Sequence, residues 1–206
     1  MGRTRRLLVI FVGASLLGAA AVPPPALAAQ RIDFDDGPAP PVFGSPPLTT
    51  RYEPRGVTFS GPSPGTGGEI LDEESDFGVT GHSSPNFLAF AASDDSAYGP
   101  ETLTFFSPVT SVAINVGSGN GGTVSLAAFD GVTTVASSSL VSTSALATLS
   151  VRAKRITSVR LAFTGTALVA DDLVWARGPV AANDSFQTPD GAPLLAGAPG
   201  VLSKRQ

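Results

Sequence analysis

The stretch "TVSLAAFDGVTTVASSS", residues 123–139, decides how the rest of the chain is read. Val124, Leu126 and Ala128 alternate with Ser125 and Ala127, the period of two that turns one side of a strand toward a core. Asp130-Gly131 then offers residues that tolerate the positive φ of a tight turn, and "VTTVASSS" resumes with β-branched and small polar residues. These residues predict a β-hairpin. The same period recurs on both sides of it, at Leu103/Phe105, Val112/Ile114/Val116, Leu149/Val151 and Val159/Leu161/Phe163. Turn chemistry separates the runs: Gly117-Ser118-Gly119-Asn120-Gly121-Gly122 and Gly165. Between them, "SSSLVSTSALATLS" (137–150) is too rich in Ser and Thr to predict a helix.

The upstream half has the same grammar. "RIDFDD" (31–36) and "RGVTFS" (55–60) read as strands, joined by a proline-rich connection from Gly37 to Pro54 that can continue neither ladder. "EILDE" (69–73), "FGVTG" (77–81) and "PNFLAFAAS" (85–93) follow. Some ten short strands with little or no helix predict an all-β fold, a two-sheet antiparallel β-sandwich over residues 29–178, with a jelly roll as its topology.

Residues 1–28 read as an export signal rather than as structure. Arg3, Arg5 and Arg6 precede an uncharged run from Leu7 to Val22, and Ala26-Leu27-Ala28 is a small-x-small cleavage site after three prolines. As a helix the run would reach only about 24 Å, short of a hydrocarbon core of about 30 Å. Arg5-Arg6 leaves Sec and twin-arginine export both open. The expected mature chain starts at Ala29, has no membrane span, and is secreted or held at the cell surface. Losing the leader's three arginines moves the formal charge from −4 to −7, which argues against nucleic acid as a partner. With no cysteine and one histidine among 206 residues, disulfide staples are excluded and zinc or redox chemistry is disfavoured. At Gly178 the texture turns to Pro, Gly and Ala, so residues 179–206 are expected to be a disordered tail.

Two stretches resemble known families. The succession "DFDD", "YEPRGVTFS", "GHSSPNFLAF", "LTFFSPVTSVAI", "VSLAAFDG", "VRLAFTG" and "ADDLVW" resembles secreted bacterial jelly-roll domains that look like carbohydrate-binding modules and occur in surface proteins, including those with PEP-CTERM sorting tails. The tail "ANDSFQTPDGAPLLAGAPGVL" (182–202) resembles the opening of a cadherin-like or VCBS-type immunoglobulin-like repeat. Asn183, Asp184, Gly200, Val201 and Leu202 match, whereas Ser203-Lys204-Arg205-Gln206 replaces the expected continuation, as though the repeat had been cut short.

"ALVADDLVW" (167–175) poses the question of chemistry, because neighbouring strand residues point to opposite faces and one of Asp171 and Asp172 should therefore meet the core. In a jelly roll the first and last strands can lie together, which would bring Asp33, Asp35 and Asp36 near Asp171 and Asp172. Five carboxylates repel unless a cation joins them, and the resemblance implies a structural calcium. Bland readings stand beside it: an ion pair of Asp171 with Arg31 or Arg160, or a doublet at a strand entry whose carboxylates cap loop amides. The acidic run Asp72-Glu73-Glu74-Ser75-Asp76 reads as a solvated loop or an exposed calcium site.

Catalysis has little to build on. His82 with Ser83 or Ser84 lacks a Gly-x-Ser-x-Gly elbow, and Glu69 with Glu73 is an ordinary acidic pair that glycoside hydrolysis would need at a defined separation. For a sugar platform the aromatic candidates are Tyr52, Tyr98 and Phe43, with Trp175 assigned to the core. The expected function is that of a non-catalytic, exported, calcium-stabilised module of a surface or adhesion protein that binds glycan or another matrix component. The alternatives are a structural spacer of a repeat stalk and a secreted glycosidase or other hydrolase.

Overall fold

A computed structural model describes residues 28–75, 77–91 and 98–178. The expected leader up to residue 27, the tail from residue 179, and Asp76, Asp94 and Asp95 lie outside the described residues. Among the described residues nine strands form: β1 (Gln30–Ile32), β2 (Val57–Ser60), β3 (Glu69–Asp72), β4 (Asn86–Ala91), β5 (Glu101–Gly117), β6 (Thr123–Asp130), β7 (Thr133–Val141), β8 (Ala147–Phe163) and β9 (Ala167–Ala176). Every strand pairing is antiparallel, in the order β3-β4-β9-β5-β8-β6-β7, with β1 added to β9 and β2 to β5.

The sandwich arises from two long strands that serve both layers. The second half of β5 lies between β9 and the first half of β8 (Val112 opposite Trp175 and Val151), whereas its first half lies between β2 and the second half of β8 (Leu103 opposite Phe59 and Val159). Between Thr104 and Ser111 the register slips twice. Pro108 sits in that interval and lacks the N–H that a regular ladder would use, so the strand bends there and passes from one layer to the other. One layer is thus β3-β4-β9-β5-β8 with β1, and the other β2-β5-β8-β6-β7. Neighbours remote in sequence, such as β4 beside β9 and β5 beside β8, give the long-return connectivity of a jelly roll.

The inward side chains form one core that includes Val124, Leu126, Ile114, Leu161, Leu173 and Trp175. Trp175 is 2% exposed, as its place in the alternation predicts. A second cluster, Leu71, Val79, Phe87, Ala89 and Val169, lies on the outer side of β3, β4 and β9, where Phe43, Phe77 and Leu146 cover it. This explains why β4 is apolar on both faces.

Several strand expectations change. "RIDFDD" is a strand only to Ile32; Phe34 takes φ 61° and buries its ring against Tyr52 at 5.8 Å. "FGVTG" makes a turn and a single bridge, Thr80 to Ala145. The hairpin at 130–133 forms with Asp130 opposite Thr133, so Gly131 (φ 60°) and Val132 are the turn residues.

Candidate functional site: the outer face of the β1-β9-β5-β8 layer

The aspartate doublet is settled by a bulge. On β5, Ala113 and Asn115 are two residues apart, yet their partners on β9, Val174 and Asp171, are three apart. Asp172 occupies the extra place with φ 53°, a left-handed conformation that Asp tolerates better than most residues. The inserted residue resets the alternation. Ala170 and Leu173 both stay in the core; of the two aspartates Asp171 is the one that is buried, on the opposite side of the strand from Ala170 and Leu173.

Asp171 is fully covered, because it lies at the border where the loops over the second cluster end. Its Oδ2 accepts the Ser83 backbone N–H at 2.6 Å and the Ser83 hydroxyl at 3.0 Å, and its Oδ1 accepts the Asp172 N–H at 2.7 Å. Burial raises its pKa, outweighing these donors, which pull it down. Asp172 faces the open side. It takes the Arg31 guanidinium on Oδ1 (Nε at 3.1 Å) and the Asn115 side-chain amide on Oδ2 at 3.1 Å, and Thr148 donates to Asn115 Oδ1 at 2.7 Å. Arg31, Asp172, Asn115 and Thr148 thus make a continuous polar ladder across β1, β9, β5 and β8. Two of the bland readings hold in modified form: Arg31 pairs with Asp172 rather than Asp171, and Asp171 caps a loop amide.

The convergence of the chain's two extremities is real, since Ile32 pairs with Leu173, and the Ser83 hydroxyl that holds Asp171 lies 3.4 Å from the Asp33 carbonyl oxygen. The five carboxylates do not gather. Asp33 Oδ1 faces the Asp35 N–H at 3.5 Å; Asp35 Oδ1 accepts the Asn86 N–H at 2.8 Å; Asp36 Oδ1 accepts the Tyr52 hydroxyl at 2.8 Å and pairs with Arg51 at 3.0 Å. Among the described residues no three His, Cys, Asp or Glu are grouped to hold a metal ion. The expected ligand set Asp33, Asp35, Asp36, Asp171 and Asp172 is thus spread over separate hydrogen bonds and ion pairs rather than gathered at one point.

The expected sugar platform also changes. Tyr52 is 1% exposed, packed on Phe34 and Phe59, with burial and its bond to Asp36 raising its hydroxyl pKa; a ring so enclosed cannot stack on a sugar. Tyr98 is half-buried with its hydroxyl 3.1 Å from Ser63 Oγ, and Phe43 is stacked on Phe77 at 5.7 Å. The hydrolytic candidates do not assemble. His82 Nδ1 faces the Ser83 carbonyl oxygen at 2.9 Å while the Ser83 hydroxyl is turned to Asp171. Glu69 is buried and accepts the Gly44 and Ser45 N–H groups at 2.8 and 2.9 Å, whereas Glu73 is exposed.

Beside the ladder the outer face opens as a trough of about 300 Å³, lined by Ser111, Ala113, Ser150, Arg152, Val174 and Ala176. The register places these residues in rows: Ser150, Ala113 and Val174 with Arg31 in one, and Arg152, Ser111 and Ala176 in the next. Four strands at about 4.8 Å make a platform about 14 Å wide. Small floor residues leave room for a ligand to approach the backbone, and the flanking polar side chains offer both donors and acceptors. Sequence reasoning did not single out Asn115, Thr148 or Arg152, because only the cross-strand register places them together.

No family model matches the chain, and no curated protein matches it. Among solved structures, it is similar to the K2 cleaved adhesin domain of Lys-gingipain, with 13% identity and a TM-score of 0.48 over 73% of this chain and 99% of that one. It is also similar to a family 11 carbohydrate-binding module from Clostridium thermocellum in complex with a β-1,3-1,4-mixed-linked tetrasaccharide (9%, 0.34, 74% and 98%). An α-L-arabinofuranosidase is a further neighbour (10%, 0.42), matched over 70% of this chain but 25% of that one.

Proposed function

We propose that the chain is a non-catalytic, exported glycan-binding module of a surface or adhesion protein, and that the trough beside Asn115 and Arg152 receives the saccharide. The observation that carries this reading is the Arg31–Asp172–Asn115–Thr148 ladder at the edge of an open, small-residue floor. Sugar hydroxyls are recognised by groups held rigidly in both donor and acceptor roles, and cross-strand bonding fixes these side chains before any ligand arrives, which reduces the ordering cost of binding. No aromatic residue lines the trough, so recognition there depends on hydrogen bonding more than on stacking.

The test is binding to a broad glycan array by the protein and by its Asn115→Ala, Arg152→Ala double variant. The reading expects selective binding that the variant loses. Silence across the array would favour a spacer role, and binding untouched by the variant would move the site elsewhere.

A further inference from the structure

A second opening lies at the end of the sandwich, where β9 leaves the core and faces the 3-10 turn Glu53–Arg55. It is a cavity of about 450 Å³ lined by Ala28, Gln30, Pro54, Arg55, Trp175 and Arg177. Alternation separates it from the trough: Ala29, Val174 and Ala176 line the trough, while Ala28, Gln30, Trp175 and Arg177 line this cavity. The two openings therefore lie on opposite sides of the β1–β9 ribbon.

Its chemistry is one-sided. Among the described residues two guanidinium groups line it and no carboxylate does, in a chain whose acidic residues outnumber its basic ones by 17 to 13. Arg31, Arg51 and Arg155 each face an aspartate, whereas neither Arg55 nor Arg177 makes an ion pair among the described residues. The Arg177 Nη2 lies 3.8 Å from where a Cβ on Gly56, the residue directly after Arg55, would be. Gly56 also holds φ 88° and closes the turn, so a side chain there would be strained. Two like charges at the mouth of a cavity, with Gln30 beside them, suit a ligand that carries an anionic group.

We infer that this cavity binds the acidic group of a saccharide, a uronate carboxylate or a sulfate ester, with Arg55 and Arg177 as the donors. The inference deepens the glycan reading and rests on it, but it assigns a separate site and a charge preference. The planar guanidinium of an arginine can engage either anion through paired hydrogen bonds. The protein's net negative charge repels polyanions elsewhere on its surface, so binding of an acidic polymer would report this site rather than general attraction.

The experiment measures retention of the full chain on polygalacturonate, on the same polymer with its carboxyl groups reduced to alcohols, on dextran sulfate and on dextran, at low and high salt. It is repeated for Arg55→Glu, Arg177→Glu together, and for Asn115→Ala, Arg152→Ala together. Both arginines are exposed, so unchanged circular dichroism and melting confirm that the first variant is folded. Expected is retention on one acidic polymer at least tenfold above its neutral counterpart, about 1.4 kcal/mol, lost in the Arg55, Arg177 variant and weakened by salt. Which acidic polymer is held distinguishes carboxylate from sulfate. Equal retention of acidic and neutral polymers, or acidic retention that survives the double charge reversal, overturns the inference; if the Asn115, Arg152 variant then loses neutral binding, the trough reading survives alone. No retention of any polymer, together with a silent array, overturns both.

Discussion

Ser83 donates both its backbone N–H and its hydroxyl to one carboxylate oxygen of Asp171, at 2.6 and 3.0 Å, and so ties the loop before β4 to the bulge in β9. The loop–bulge tie marks where the covered part of the outer face ends and the open trough begins. An acidic residue in an apolar strand is stabilised here by three donors.

Asp171→Asn should therefore destabilise the fold. An amide keeps one acceptor oxygen, but its NH2 must face one of the three donors, a loss of about 1–3 kcal/mol, or roughly 2–10 °C in melting midpoint for a chain of this size. Scanning calorimetry in calcium and in chelator checks the cause. Equal shifts in both are expected; a shift seen only with calcium present would restore the cation.

Asp172 tests the bulge itself. Asp172→Asn retains a residue suited to φ 53° and removes only a partly exposed ion pair, so stability should change by about 1 kcal/mol or less. Asp172→Val puts a β-branched residue into the left-handed region and should cost more, on the order of 2 kcal/mol. Denaturant midpoints of the two variants that coincide would contradict the bulge geometry.

Tyr52 separates packing from recognition. Tyr52→Ala should cost about 3–5 kcal/mol, as loss of a buried ring does. Tyr52→Phe should cost about 1 kcal/mol for the bond to Asp36 and leave saccharide binding unchanged. Weakened binding by a Tyr52→Phe protein of normal stability would return this ring to the ligand site.

Glu101 gives the fold a pH dependence. Its side chain is fully buried at the start of β5; Oε2 accepts the Gly68 N–H at 2.8 Å, and Oε1 has no hydrogen-bond partner among the described residues. Burial pushes its pKa up to about 8, against the Gly68 and Ser60 N–H groups, which lower it. At acidic pH the carboxyl is protonated in the folded and unfolded chain alike. Between about pH 4.5 and 8 the unfolded chain releases a proton that the folded chain keeps, so stability falls as pH rises, by at most about 1.4 kcal/mol per unit, and levels off above the folded pKa. Glu101→Gln should remove this slope. Urea titrations of both proteins across that range would show converging curves toward low pH; parallel curves would refute the assignment.

Much of the architecture was legible because alternation is a local signal. Val124, Leu126 and Ala128, then Val112, Ile114 and Val116, declare their buried side without reference to any partner. Pro108 hid the unity of β5, since a proline reads as a strand end and a bend between layers tolerates it. The same kind of irregularity defeated strict alternation at Asp171 and Asp172, where one inserted residue changed which face each carboxylate met. Tyr52 sits in a polar, proline-flanked stretch and gave no sign that Phe34 and Phe59 enclose it. The ladder was least legible of all: residues 31, 115, 148 and 172 meet only through the register of four strands, which no short stretch encodes.

The central claim is that the open trough beside the ladder is a saccharide site, and binding across a glycan array by the protein and its Asn115→Ala, Arg152→Ala variant tests it most directly. The account predicts selective binding that falls at least tenfold, about 1.4 kcal/mol, in a variant that melts cooperatively. A folded variant that binds the same glycans with undiminished affinity would contradict it.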